Sequence, residues 1–123
     1  MRQYFGVSMQ YETITNELVS EVPEFENSIR EHVETLDELL PHVLFGDFTR
    51  FAIDAWRSGN SDLLGRCLDF LERALVEGDE RVRNLITASF VENVGVWDPT
   101  MVPFVEMWPD ALRAQAGRQS GSG

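Results

Sequence analysis

Apolar residues in the stretch PHVLFGDFTRFAIDAWRS, residues 41–58, fall on most of a helical circumference: Val43, Leu44, Phe45, Phe48, Phe51, Ala52, Ile53, Ala55 and Trp56. The charged residues Asp47, Arg50, Asp54 and Arg57 form one polar stripe among them, at spacings of three, four and three that keep the four on one face. A helix that is apolar on most sides has to be central. The stripe is then its one exposed edge, along which Asp47 is expected to pair with Arg50, Arg50 with Asp54, and Asp54 with Arg57. Pro41 opens this helix by discouraging a helical conformation at Leu40, and Gly59 ends it with a left-handed turn.

The flanking segments repeat the helical period. Ile14–Glu21 reads as a short helix with Thr13 at its N-cap and Leu18 and Val22 four apart. Pro23 opens a second helix ending near Leu36, whose buried side is expected at Phe25, Ile29, Val33 and Leu36. Asn60 or Ser61 caps a helix over Asp62–Glu77, with Leu63, Leu64, Cys67, Leu68, Phe70, Leu71, Ala74 and Leu75 apolar. Its outer face, Asp62, Arg66, Asp69, Arg73 and Glu77, alternates in sign and is expected to neutralise itself.

Gly78 closes that helix and Asp79 caps the next, Glu80 to about Val94, with an inner stripe of Val82, Leu85, Ile86, Ser89, Phe90 and Val94. Gly95 stops it. Asp98 caps a helix over Pro99–Met107, Pro109 ends that one, Ala111–Ala116 adds a turn, and GRQSGSG reads as a flexible tail. Met1–Glu12 shows no sustained period and is expected to be a loosely ordered arm. The chain therefore predicts an all-α fold: one domain over residues 1–116, with about five to six antiparallel helices in a bundle or short HEAT-like stack, and a tail at 117–123.

Length and composition agree with one independent core: 123 residues, 43% hydrophobic and 25% charged. Net charge changes the picture more. Ten cations, every one an arginine, face 21 acids for a net of −11, which argues against nucleic acid and anionic membrane as partners and favours a basic protein. The excess is lopsided. Residues 1–40 hold nine acids against Arg2 and Arg30, a net of −7, while residues 41–123 hold twelve acids against eight arginines, a net of −4.

Candidate chemistry is sparse. HExxH, CxxC, GxSxG and phosphate-binding glycine loops do not occur, so no catalytic, cofactor-binding or metal-ligating set is assigned and none is expected. His32 and His42 read as boundary residues; a cluster of His42, Asp47 and a glutamate of the second helix is conceivable as a metal or acid–base site, but no spacing demands it. Cys67 reads as a small buried hydrophobe. Trp56, Trp97 and Trp108 read as core or capping residues, with interface anchoring as the alternative. There is no apolar leader or membrane-length run, so a cytoplasmic location is expected. Carboxylates left unmatched in the first two helices mark Glu24, Glu31, Glu34, Asp37 and Glu38 as the partner-binding face.

The run PHVLFGDF, followed by FLERALVEGDERVRNLITASFVENVG, resembles a family of small bacterial all-helical proteins associated with immunity proteins encoded beside polymorphic toxins. The similarity spans roughly Pro23 to Trp108. It includes an FGD turn at Phe45–Asp47, an FLE run at Phe70–Glu72 and a VENVG helix end at Val91–Gly95, residues that set packing and caps. The tryptophan-rich last segment and the acidic start depart from that pattern. The resemblance implies a non-catalytic inhibitor that occludes the active site of a basic toxin domain. A small acidic adaptor domain in a bacterial regulatory complex is the competing expectation.

Overall fold

A computed structural model describes residues 10–36 and 40–120, and its architecture is all-α. The helices are α1 (Ile14–Glu21), α2 (Glu26–Leu36), α3 (Pro41–Arg57), α4 (Ser61–Glu77), α5 (Glu80–Ile86), α6 (Glu92–Val94), α7 (Val102–Val105) and α8 (Asp110–Ser120). Short 3₁₀ turns lead into α1, α2 and α7, and a π-helical stretch, Thr87–Val91, joins α5 to α6 as one rod. Most of the expected arm lies outside the described residues. Of what remains, the Tyr11 N–H donates to Asp79 Oδ2 at 3.2 Å, and Arg81 stacks over the Tyr11 ring.

Helix α3 is central. Leu44, Phe45, Phe48, Thr49, Ala52 and Ala55 are buried, and α3 packs against α2, α4 and the rod from α5 to α6. Phe45–Asp47 lies inside this helix and is not a turn. Two aromatic groups fill the spaces around α3. Phe45, Phe48 and Phe51 meet Phe25 from the α2 lead-in and Phe70 from α4, with Phe25 edge-on to Phe48 at 5.2 Å. At the other end Trp56 stacks on Phe104 at 5.0 Å, and Trp108 packs against Phe90 and Phe104. Each such pair adds about 0.5–1.5 kcal/mol beyond the area it buries. The Trp108 ring buries its Nε1–H with no acceptor among the described residues, a cost of about 1–3 kcal/mol that its packing offsets.

Local chemistry sets the helix ends. The Asn60 side chain accepts from Leu63 N, Asp79 from Val82 N and Asp98 from Thr100 N, while Gly59 and Gly95 take left-handed φ values of 76° and 75°. Gly78 works differently. Its φ is negative, and it is needed because a Cβ there would collide with the Ala74 carbonyl oxygen and lie 2.5 Å from Val82 Cγ1.

The rod departs from the expected uninterrupted α-helix at its middle. All six expected inner residues are buried, and so is Val91. Three successive residues, Ser89, Phe90 and Val91, cannot all face inward on a 3.6-residue period; the wider π turn accommodates them. The Ser89 carbonyl accepts from Thr49 Oγ1 of α3 and from Asn93 Nδ2, both at 2.8 Å.

Helix α2 also differs from expectation. Phe25 is buried and Ile29 half-buried, but Val33 and Leu36 stand 40% and 41% exposed, while His32 is buried in their place. At the start of α3, His32 Nε2 accepts from the Leu40 N–H at 2.9 Å, which ties the inward-facing ring in place. At the C-terminus, α8 continues through Gly117 to Ser120, beyond the expected turn at 111–116. Its first turn is capped from α4, where the Glu72 carboxylate accepts from Ala111 N at 2.8 Å and Leu112 N at 2.9 Å.

Two substitutions test these supports by urea unfolding. Glu72→Ala is expected to cost about 1–2 kcal/mol and to abolish hydrogen-exchange protection of the Ala111 and Leu112 amides; Glu72→Gln, which keeps one acceptor, recovers part of both. Gly78→Ala is expected to cost about 1–3 kcal/mol through overpacking.

Candidate functional site

The four arginines that follow Arg30 in α3 and α4 decide which carboxylates remain available. Arg66 does not simply neutralise its own helix. It forks onto Glu24, with Nη1 to Oε1 at 2.8 Å, and also reaches Asp62 at 3.1 Å and the Glu21 carbonyl at 3.4 Å. Arg73 pairs with the Glu21 carboxylate and, at 3.9 Å, with Glu77. The α1–α2 junction is thus clamped to α4 by two guanidinium groups. Further along, Arg30 pairs with Glu26 at 3.8 Å and Arg81 with Glu12 at 3.1 Å.

Glu24 therefore has a structural partner, and the hydrogen bonds from Arg66 hold its carboxyl down at about 2. Glu31 and Glu34 are exposed and have no partner among the described residues, while Asp37 and Glu38 lie outside them. The stripe on α3 is only partly paired: Asp47 joins Arg50, but Asp54 and Arg57 have no partner among the described residues.

Glu31 borders an open groove of about 380 Å³ between α2 and α3, lined by Ser28, Glu31, His32, Thr35, Leu36, Val43 and Asp47. Val43 is 49% exposed, and with Leu36 it forms an apolar margin beside the free Glu31; Val33 and Glu34 are exposed on α2 outside the groove. The i, i+3, i+4, i+7 spacing of Ser28, Glu31, His32 and Thr35 puts them on one face of α2. Apolar surface and an unpaired acid thus adjoin in this groove.

His42 Nδ1 is 2.8 Å from Ser89 Oγ, Asp47 is held by Arg50, and no three His, Cys, Asp or Glu side chains converge as a metal site among the described residues. Cys67 is fully buried, and burial pushes its thiol up to about 12. Of the tryptophans, Trp56 and Trp108 serve the core while Trp97 is 75% exposed on the loop after the rod.

Sequence reasoning named Glu31 and Glu34 but missed Val33, Leu36 and Val43 as surface residues. It also missed His32 as a groove residue. A helix read alone assigns its apolar residues to the core, and the His32–Leu40 bond that accompanies the different orientation here lies outside that reading.

Residues 15–119 match the model of a family described as Domain of unknown function (DUF7674), and the chain belongs to that family. No curated protein and no solved structure matches it. Among the described residues no helix is long and apolar enough to cross a membrane.

The Glu24 clamp carries a pH signature. A carboxyl held at about 2 in the folded chain, against an ordinary 4.5, contributes stability that is present above about 4.5 and lost as pH falls toward about 2. Glu24→Gln is expected to lower the urea midpoint at neutral pH, with the variant and parent curves converging as pH drops through that window. Unequal midpoints at the acid end would contradict the clamp.

Proposed function

We propose that this member of the family is an immunity-type protein that binds a cognate bacterial toxin and covers its active site or substrate cleft, with no catalysis of its own. The observation that carries this reading is the α2–α3 face, where Leu36 and Val43 lie exposed beside the unpaired Glu31, with exposed Val33 and unpaired Glu34 on the same helix. Apolar area supplies the anchor, and free carboxylates on a chain of net charge −11 draw a basic partner into register. The sequence resemblance to immunity proteins supports the same role. In this reading Glu24 belongs to the scaffold and the steering belongs to Glu31 and Glu34. The partner is met in the cytoplasm, where a self-protecting cell needs its inhibitor.

Trp97 favours a second reading. A tryptophan this exposed, on a segment separate in sequence from α2, suits an adaptor that holds two partners in a regulatory complex.

Capture with this protein as bait from its native bacterium, washed at low and then moderate salt, separates the two. The immunity reading expects one stoichiometric basic protein carrying a toxin domain, whose activity disappears on mixing; several housekeeping partners would support the adaptor. With that toxin in hand, Glu31→Lys with Glu34→Lys is expected to slow association about tenfold at low salt and by less as salt rises. An unchanged association rate would remove the steering role.

A further inference from the structure

We infer that this chain forms a two-fold dimer through the groove between the end of α3 and the segment that follows the rod, with Trp97 of each copy seated in the groove of the other. A toxin partner plays no part in this contact.

Charge selects a second copy as the occupant. Asp54 and Arg57 lie three residues apart on the exposed face of α3, a spacing that suits an intrahelical pair, yet neither has a partner among the described residues. The other arginines of α3 and α4 are engaged: Arg50 with Asp47, Arg66 with Glu24 and Asp62, and Arg73 with Glu21. A cationic partner would satisfy Asp54 and oppose Arg57, and an anionic partner would do the reverse. Both are satisfied by a surface that carries one base and one acid at the same spacing in the opposite order. This chain's own α3, turned about a two-fold axis, presents that surface, so that Asp54 meets Arg57 of the second copy and Arg57 meets its Asp54.

The rest of the surface reinforces the choice. A net charge of −11 repels another copy wherever acids predominate, and contact is favoured where charge cancels. This groove is lined by two arginines, Arg50 and Arg57, and two aspartates, Asp54 and Asp98.

Shape agrees with charge. The groove encloses about 390 Å³ over an apolar floor of Val94 and Met101, both buried, and half-buried Ile53. Trp97 lies in the chain between Val94 and Asp98, which line the groove, and is 75% exposed. It is not a loose side chain. Its ring rests against the Gly95 backbone, with Cε2 3.7 Å from the place a Cβ would take, and the Asp98 N–H closes the turn onto the Gly95 carbonyl at 2.8 Å. An indole already ordered in the free protein loses little freedom when it is covered. A projecting ring beside a groove on one surface is what a two-fold contact requires, because each copy supplies both parts.

Sedimentation velocity of the full chain, from micromolar to millimolar concentration at low salt, is expected to show a monomer–dimer equilibrium that high salt shifts toward monomer. Asp54→Arg and Arg57→Asp change exposed, unpaired side chains and are expected to leave helicity unchanged. Each alone is expected to weaken the dimer about tenfold by setting like charges together. An equimolar mixture of the two variants, in which every acid again faces a base, is expected to recover it, and Trp97→Ser to weaken the parent dimer about tenfold. A monomer at every concentration would overturn the dimer and leave Trp97 to the second partner of an adaptor. A dimer that withstands both single reversals, or single variants that dissociate and are not rescued by mixing, would equally overturn this contact. None of these readouts involves a toxin, so the immunity reading stands or falls separately.

Discussion

A helix with apolar side chains around most of its circumference has no stable place at a surface, and α3 imposes that condition on every other element. Its Phe45 and Phe48 are buried only because Phe25 arrives from the α2 lead-in and Phe70 from α4; its far end is covered only because Phe104 and Trp108 fold back over Trp56 and the rod. The π turn answers the same demand. Packing a rod tightly along α3 requires Ser89, Phe90 and Val91 to face inward together, and the wider turn that allows this leaves a carbonyl for Thr49 of α3 to bind. One hydroxyl on an otherwise apolar surface thereby fixes the register between the two helices.

The charge distribution follows from how the chain wraps this core. Arginine is the only cation, and its planar fork can satisfy a carboxylate and a backbone carbonyl at once, as Arg66 does with Glu24 and Glu21. Two arginines of α4 are spent in this way on the α1–α2 junction. The acids nearest the core are thus neutralised by scaffold contacts, and those farther along α2 are left unmatched. An acidic surface is created where the scaffold's cations run out, which is also where α2 loses its hold on the core.

What was legible in the sequence is what depends on neighbours in the chain. The caps at Asn60, Asp79 and Asp98, the left-handed glycines at Gly59 and Gly95, and the apolar stripes of α3, α4 and the rod all follow from residues within about one turn of each other. The features that were not legible join distant segments. Glu72 caps a helix whose first turn lies 39 residues away, and Arg66 reaches back 42 residues to Glu24, whereas the i, i+4 rule finds only Asp62. His32 is the instructive case for the candidate site. Its ring is buried and bonded to Leu40, eight residues away, while Val33 and Leu36 stay exposed, and no periodicity argument contains that bond.

In the proposed immunity reading, this exposed last turn is the reason recognition is assigned to α2 and not to the better-packed helices. Between Phe25 and His32, α2 is held by one buried ring at each end; beyond His32 its remaining turn contributes exposed apolar atoms and no buried side chain. Keeping Val33 and Leu36 in water forgoes about 1.5 kcal/mol or more per side chain that full burial would supply. That loss is tolerable because α3 secures the rest of the fold. A partner that covers these residues recovers the forgone burial as binding free energy, and it does so without repacking the core, since the inward face of α2 is already fixed by His32. Apolar area withheld from the core and acids withheld from pairing thus coincide on one element: the acids keep the exposed methyl groups soluble in the free protein and, in the proposed reading, are what a cationic surface meets.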